Sequence, residues 1–215
     1  MSFFGRLKPL AVAVLGVALV SGCDKPRGSA PVEVVERTEP KQPQIPQDTQ
    51  TRDYLEAGEA ELAARQGLIP ASTKSVMRIE RQMRHGQYEW QDDIGEGPLA
   101  VRVDLKRQLV SAYRDGHEIG AAVILYGAEG LDTPTGQFPI LRMSETYHSR
   151  TYDNAPMPYS LWLTNDGVAL HGSRVEGGRA THGCVGVPVG FAEKLFAVAK
   201  VGDVVEIVGD IPNAA

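Results

Sequence analysis

The sequence predicts a mainly β domain, an antiparallel β-sandwich or distorted barrel with one or two packed helices, behind an N-terminal helical extension. Three observations carry this. From Leu99 onward, apolar residues fall into short period-two runs bounded by turn residues, the pattern of half-buried strands. Thr164-Asn165-Asp166-Gly167 separates the apolar runs at 161–163 and 168–170, a good hairpin signal. Residues 188–200 then switch to helical spacing, with Phe191, Leu195, Phe196 and Val198 as the apolar positions. The 215 residues allow one medium domain with extensions, or two small ones. Charged residues at 23% and hydrophobic ones at 42% are a globular balance, and a net charge of −5 offers no basic field for nucleic acid.

Residues 1–22 read as a targeting segment. Arg6 and Lys8 form a positive start, and the apolar run from Leu10 to Val20 is too short for a bilayer core, which needs about twenty residues. The run ends Val20-Ser21-Gly22-Cys23, which resembles a lipobox: processing would leave Cys23 as a lipid-modified N-terminus on a bacterial membrane. The alternative is an ordinary secretion signal cut near Gly22. Asp24 resembles the signal that keeps many such lipoproteins in the inner membrane, with the chain in the periplasm. Residues 23–51 read as a Pro/Gln-rich tether, too polar to offset the entropy of ordering itself. Extended at about 3.1 Å per residue, its residues 25–51 reach on the order of 80 Å.

Residues 52–98 form the expected helical extension. The best helix is 53–66, with Leu55, Leu62 and four alanines, stopped by Gly67. Val76, Ile79 and Met83 in 75–86 also sit at helical spacing, beside a basic patch of Arg78, Arg81, Arg84 and His85. This patch reads as a solvated face or as a contact for anionic head groups or acidic peptides. Within 99–208, Val101, Val103 and Leu105 alternate with polar residues, 108–113 is a second strand, and 119–126 is a buried one. His117 falls in the turn between the last two and reads as a solvated loop residue. Residues 144–158 are polar and irregular, as expected of a lid-like loop. Val204 to Val208 is the closing strand, and 209–215 a tail.

The chemistry concentrates between His171 and Pro188, around Thr181-His182-Gly183-Cys184. A thiol becomes a good nucleophile when an imidazole takes its proton or stabilises its thiolate. Gly172, Gly177, Gly178, Gly183 and Gly186 allow close backbone approach to a substrate, and amides around Gly183 and Cys184 could point at an oxyanion. Two other readings stay open. Cys184 could be a buried small hydrophobe, or Cys184, His171 and His182 could hold zinc, although the finger spacings and a clear fourth ligand are missing. Cysteine arithmetic favours catalysis: with two cysteines and a lipid on Cys23, Cys184 is the one free thiol.

The pattern resembles the signature of L,D-transpeptidases with the YkuD-type catalytic domain. Val168-Ala169-Leu170 leads into His171-Gly172, followed by a Gly-rich loop and Thr-His-Gly-Cys-Val. Thr133-Pro134-Thr135-Gly136-Gln137-Phe138, Ala155-Pro156-Met157-Pro158-Tyr159 and Val201-Gly202-Asp203-Val204-Val205 resemble further segments of that family, so the likeness spans 99–208. Two departures stand out. Gly186 replaces the common Arg or Asn, removing a potential bidentate carboxylate contact, and the gap from His171 to Thr181 is short.

The resemblance implies a YkuD-type sandwich and acyl transfer between peptidoglycan stem peptides. Cys184 would be the nucleophile and His171 the base and acid, with the Gly172 carbonyl orienting the imidazole. Thr181, His182 and Gly183 would support the oxyanion site, and Met157, Tyr159 and Gly186 would line the substrate cleft. No metal or cofactor is required, carbapenems should acylate Cys184, and nothing demands more than a monomer. Two alternatives remain: a hydrolase on the same domain, trimming stems or releasing wall-linked protein, and a non-catalytic wall-binding lipoprotein.

Overall fold

The computed structural model describes residues 51–177 and 180–209. The expected targeting segment, Cys23, all of the expected tether except Thr51, and the residues beyond Gly209 lie outside the described residues. The extension supplies β1 (Arg52–Tyr54), α1 (Ala57–Arg65), β2 (Ser75–Met77) and β3 (Tyr88–Trp90). There follow β4 (Leu99–Asp104), β5 (Leu109–Arg114), β6 (His117–Val123), β7 (Gly136–Pro139), β8 (Arg142–Ser144), β9 (Ser160–Trp162), β10 (Ala169–Ser173) and β11 (Val185–Pro188). The chain then forms α2 (Val189–Val198) and β12 (Val204–Val208).

The fold is mainly β with two helices, as the sequence predicts. Its strands form two sheets that do not close into a barrel. One is eight-stranded, in the order β1-β2-β6-β5-β4-β12-β7, with β3 also on β6; the other is β11-β10-β9-β8. Antiparallel hairpins dominate, yet β2 with β6, β4 with β12, and β10 with β11 pair in parallel, so both sheets are mixed. Two of the parallel pairs join strands distant in sequence and the third joins consecutive strands across the Gly-rich loop, and a single-strand alternation pattern carries no information on such partners.

The core lies between the sheets. Val101, Val103 and Val110 of the large sheet, Leu161, Leu170, Val185 and Val187 of the small one, and Phe191 and Leu195 of α2 are almost fully buried in one cluster. Burying Phe191 and Leu195 is worth about 1.5–3 kcal/mol each. Alternation on the small sheet then sorts residues by face: Leu161, Leu170, Val185 and Val187 turn inward, leaving their sequence neighbours on the opposite face.

The extension departs from its expected form. It is helical only over Ala57–Arg65, where the Glu59 carboxylate accepts from the Glu56 N–H at 3.2 Å. The segment from 75, expected to be helical, begins as the strand β2, with Ser75 and Met77 buried. Buried polar partners decide this: the Arg52 guanidinium donates to Ser75 Oγ at 3.1 Å and to the Glu118 carbonyl, tying β1 to β2 and β6. His117 is likewise no solvated loop residue. It opens β6, is buried, and sets Nδ1 2.8 Å from Ser75 Oγ, and burial together with the Arg52 charge holds its pKa below the ordinary value.

At the other end of the extension, β3 is joined to α2 through aromatic packing. The Trp90 ring meets Phe191 edge-on at 5.5 Å, and Tyr88 does so at 6.3 Å. Gly120, which faces Trp90 across the β3–β6 pair, makes this possible, because a Cβ there would lie 2.3 Å from the Trp90 ring. Gly120→Ala should therefore cost about 1–3 kcal/mol of unfolding free energy through overpacking. Chemical denaturation checks this, with Gly120→Ala costing less in a Trp90→Ala background than in the wild type if the ring is the obstacle.

Candidate active site

The site is built on the outward face of the small sheet. Because β10 and β11 run parallel with His171 opposite Gly186 and Leu170 opposite Val185, Cys184 falls one step before β11. It lies beside Ala169 and diagonal to His171, and the parity of the pairing puts its side chain on the face of Ala169 and His171. Two stretches separated by the Gly-rich loop are thus held side by side through backbone pairing. A third strand segment secures the arrangement: Gly186 and Leu125 exchange hydrogen bonds of 2.8 and 2.9 Å, fastening β11 to the end of the large sheet.

His171 is buried, and its Nδ1 lies 2.9 Å from the Gly172 carbonyl. A carbonyl only accepts, so Nδ1 carries the proton in the neutral ring and Nε2 is left to accept one. Burial lowers the His171 pKa and outweighs the opposite effect of that hydrogen bond. Gly172 itself points inward, its N–H donating to the Pro158 carbonyl at 2.8 Å. A Cβ at Gly172 would meet Pro158 Cγ at 3.0 Å and Ala192 Cβ at 3.4 Å, so glycine lets α2 approach the strand.

Cys184 is partly exposed, and its thiol donates to the Gly167 carbonyl at 3.8 Å. Burial raises its pKa, partly offset by a backbone hydrogen bond from Ala169. Both shifts favour the neutral thiol and neutral imidazole at rest. Beneath the thiol pack Met157, Trp162 and Ala169, with Tyr147 at the edge of the group.

Thr181 fastens the turn that precedes the cysteine. Its hydroxyl donates to the Cys184 carbonyl at 2.5 Å, its N–H to the Tyr126 carbonyl at 2.9 Å, and its carbonyl accepts from Ala128 at 3.1 Å. Gly183 takes φ +103°, a conformation costly for residues with a side chain, and sits against the carbonyls of Leu131 and Asp132. Gly127, which pairs with Thr181, has no room for a side chain, since a Cβ would fall 1.9 Å from the Leu131 carbonyl oxygen.

The remaining expected site residues divide. Met157 joins the group under the thiol, whereas Tyr159 packs on the core, tilted 5.8 Å from Phe196, with φ +55°. His182 is exposed and stacks on Tyr152 of the 144–158 loop, the ring centroids 3.9 Å apart and 15° from parallel. Sequence reasoning gave no role to Trp162, Leu125 or this stack. Trp162 had one readable signal, since it occupies the outward position of a strand leading to His171; the Leu125 bridge and the stack are long-range and had none. Among the described residues no three His, Cys, Asp or Glu side chains gather as a metal-holding group.

A histidine with an oriented tautomer and a thiol on the same sheet face define a cysteine–histidine site on a two-sheet β fold. The model of the YkuD L,D-transpeptidase catalytic domain matches residues 98–207, and the chain belongs to this family. No curated protein matches the chain closely enough to count as a relative. Among solved structures, an L,D-transpeptidase from Stackebrandtia nassauensis is similar at 26% identity and TM-score 0.50, over 58% of this chain and 61% of that one. One from Xylanimonas cellulosilytica shares 25% identity at TM-score 0.46, over 53% and 62%. L,D-transpeptidase 1 of Mycobacterium tuberculosis shares 23% at 0.45, over 52% and 61%. The chain thus spans less than two thirds of each of these proteins.

Gly186 can now be placed. A Cβ there would lie 3.1 Å from Ser173 Cβ and 3.3 Å from its hydroxyl, so this chain fills with Ser173 the space that a side chain at 186 would use. Gly186→Arg should lower stability by about 1–3 kcal/mol, and adding Ser173→Gly should recover part of that. Thermal denaturation of the two variants tests this; equal melting temperatures would remove Ser173 as the cause.

Proposed function

We propose that the protein is an L,D-transpeptidase of peptidoglycan, with Cys184 as nucleophile and His171 as its base. The observation that carries this is the pairing of β10 with β11, which sets the thiol diagonal to an imidazole whose Nδ1 is spoken for by the Gly172 carbonyl. Family membership supplies the reaction class.

The family resemblance implies the steps, and the geometry supports them. Cys184 sulfur attacks the carbonyl of the third, diamino-acid residue of a donor tetrapeptide while its proton passes to His171 Nε2. Amides of Gly183 and Cys184 hold the oxyanion, since the Thr181 N–H is engaged by the Tyr126 carbonyl, and Gly183 shapes the turn through its positive φ. Collapse breaks the peptide bond to the terminal D-alanine, whose amine takes the proton from His171, and leaves a thioester on Cys184. The side-chain amine of a second stem then attacks the thioester, its proton passing to His171, and the thiol is restored. The product is a direct cross-link between third residues. The neutral resting pair suits this order, with proton transfer coupled to attack. Met157 and Trp162 provide an apolar bed beside the sulfur, Tyr152 on His182 closes one side, and carbapenems are expected to acylate the same atom.

The setting belongs to the same proposal: a periplasmic lipoprotein held by Cys23 in the inner membrane, with the catalytic domain on a tether long enough to reach the wall. If water replaces the acceptor amine, the same site is a carboxypeptidase, and Gly186 is the feature that favours this second reading. Donor tetrapeptide with excess acceptor stem separates the two: cross-linked dimer supports the transferase, trimmed tripeptide alone the hydrolase.

The pH dependence follows from His171. Attack needs the neutral imidazole, and a lowered pKa keeps it neutral to lower pH, so the acid limb of kcat/KM for D-alanine release should fall below about pH 6.5. His171→Ala should lose roughly 10²–10⁴-fold in rate. An acid limb above that range, or an unimpaired variant, would remove His171 as the base.

A further inference from the structure

Away from the reacting centre, a cavity of about 720 Å³ opens between the extension and the β4–β5 hairpin. Arg81, Arg84 and His85 line it from the extension and Arg107 from the hairpin turn, while Leu109 and Val123 give it an apolar part. Among the described residues that line it, none is Asp or Glu. In a chain of net charge −5, such a concentration of cationic side chains around one concavity calls for an anionic occupant.

The pairing within the protein leaves capacity for one. Arg81 is engaged with Glu89. Arg107 meets Asp104 only at 4.0 Å and the Leu68 carbonyl at 3.4 Å, with nearly half of its side chain exposed. Arg84 is exposed, and its guanidinium has no ion pair among the described residues. Guanidinium groups suit carboxylates, which they bind through paired N–H donors.

The cavity is also coupled to the active-site loop. A Cβ at Gly86 would lie 3.3 Å from the Val175 carbonyl oxygen, and one at Gly177 would lie 3.9 Å from His85 Nδ1. The wall of the cavity therefore packs on the loop that joins His171 to Thr181. Two of its three arginines, and His85, precede residue 98, where the family match begins, so the cavity is a feature of this chain's extension.

We propose that this cavity is a second binding site that holds an acidic peptide branch, a neighbouring stem of the polymer on which the enzyme acts. Its carboxylates would pair with Arg84 and Arg107, and its alkyl portions would lie on Leu109 and Val123. The proposal rests on the substrate read above. A concave, partly apolar site of this volume fits a short peptide, whereas a bilayer surface is met by projecting basic and apolar side chains.

The test uses the full chain carrying Cys184→Ala, so that bound stems are not consumed, in co-sedimentation with purified sacculi across a salt series. Arg84→Glu with Arg107→Glu should weaken binding by roughly tenfold or more, and the Lys pair, which keeps the charge but loses the paired donors, should weaken it less. The milder Arg84→Gln and Arg107→Gln pair should weaken it in the same direction. Sacculus binding unchanged by charge reversal would overturn the proposal, as would a loss confined to phosphatidylglycerol vesicles measured in parallel, which would assign the site to a lipid head group. With Cys184 native, alkylation of the thiol should be the same in the reversed and parental chains, which reports an intact fold. Stem turnover by the native chain is read separately. Binding through these arginines without any turnover would overturn the proposed function and leave this site standing.

Discussion

The parallel pairing of β10 with β11 is the constraint on which the rest of the site depends. Neither strand is long, and neither chemical group is useful alone: a buried imidazole without a thiol is structural, and a thiol with a raised pKa is inert. Backbone hydrogen bonds bring them to one face with a fixed diagonal offset. A one-residue slip would turn Cys184 towards the core and Val185 towards the cleft. The Leu125–Gly186 bridge and the Thr181 hydroxyl on the Cys184 carbonyl guard against that slip from opposite sides of the cysteine.

Packing then explains why the scaffold is held so firmly behind the site. The inward residues of the small sheet meet Phe191 and Leu195, and Gly172 lets α2 come close enough for that contact. Trp90 and Tyr88 of the extension pack on the same Phe191. The extension is consequently part of the support of the catalytic half, joined to it by the buried Arg52 network at one end and by aromatic rings at the other.

The sequence carried β4, β5, β6, β9, β10 and β12, the hairpin ahead of His171 and the helix after Pro188, because each is written in local period and turn chemistry. It also made Cys184 and His171 conspicuous, since rare residue types clustered within one Gly-rich loop. The parallel partners were hidden, because partner choice depends on contacts across the chain. His117 was misread for a related reason: next to Asp115-Gly116 it looks like a turn residue, and only Ser75, forty-two positions away, gives its imidazole a buried partner. The 75–86 segment misled by periodicity, where three apolar residues at helical spacing lost to a strand secured by Arg52.

The central claim is that this geometry makes Cys184 an acyl acceptor in an assembled cleft. Intact-mass spectrometry of the purified protein after incubation with a carbapenem addresses it most directly. The account predicts one covalent adduct per chain on the native sequence and none on Cys184→Ala. A native protein that forms no adduct, while Cys184 remains reduced and reactive towards a small alkylating agent, would contradict it and bring forward a wall-binding protein without acyl-transfer activity.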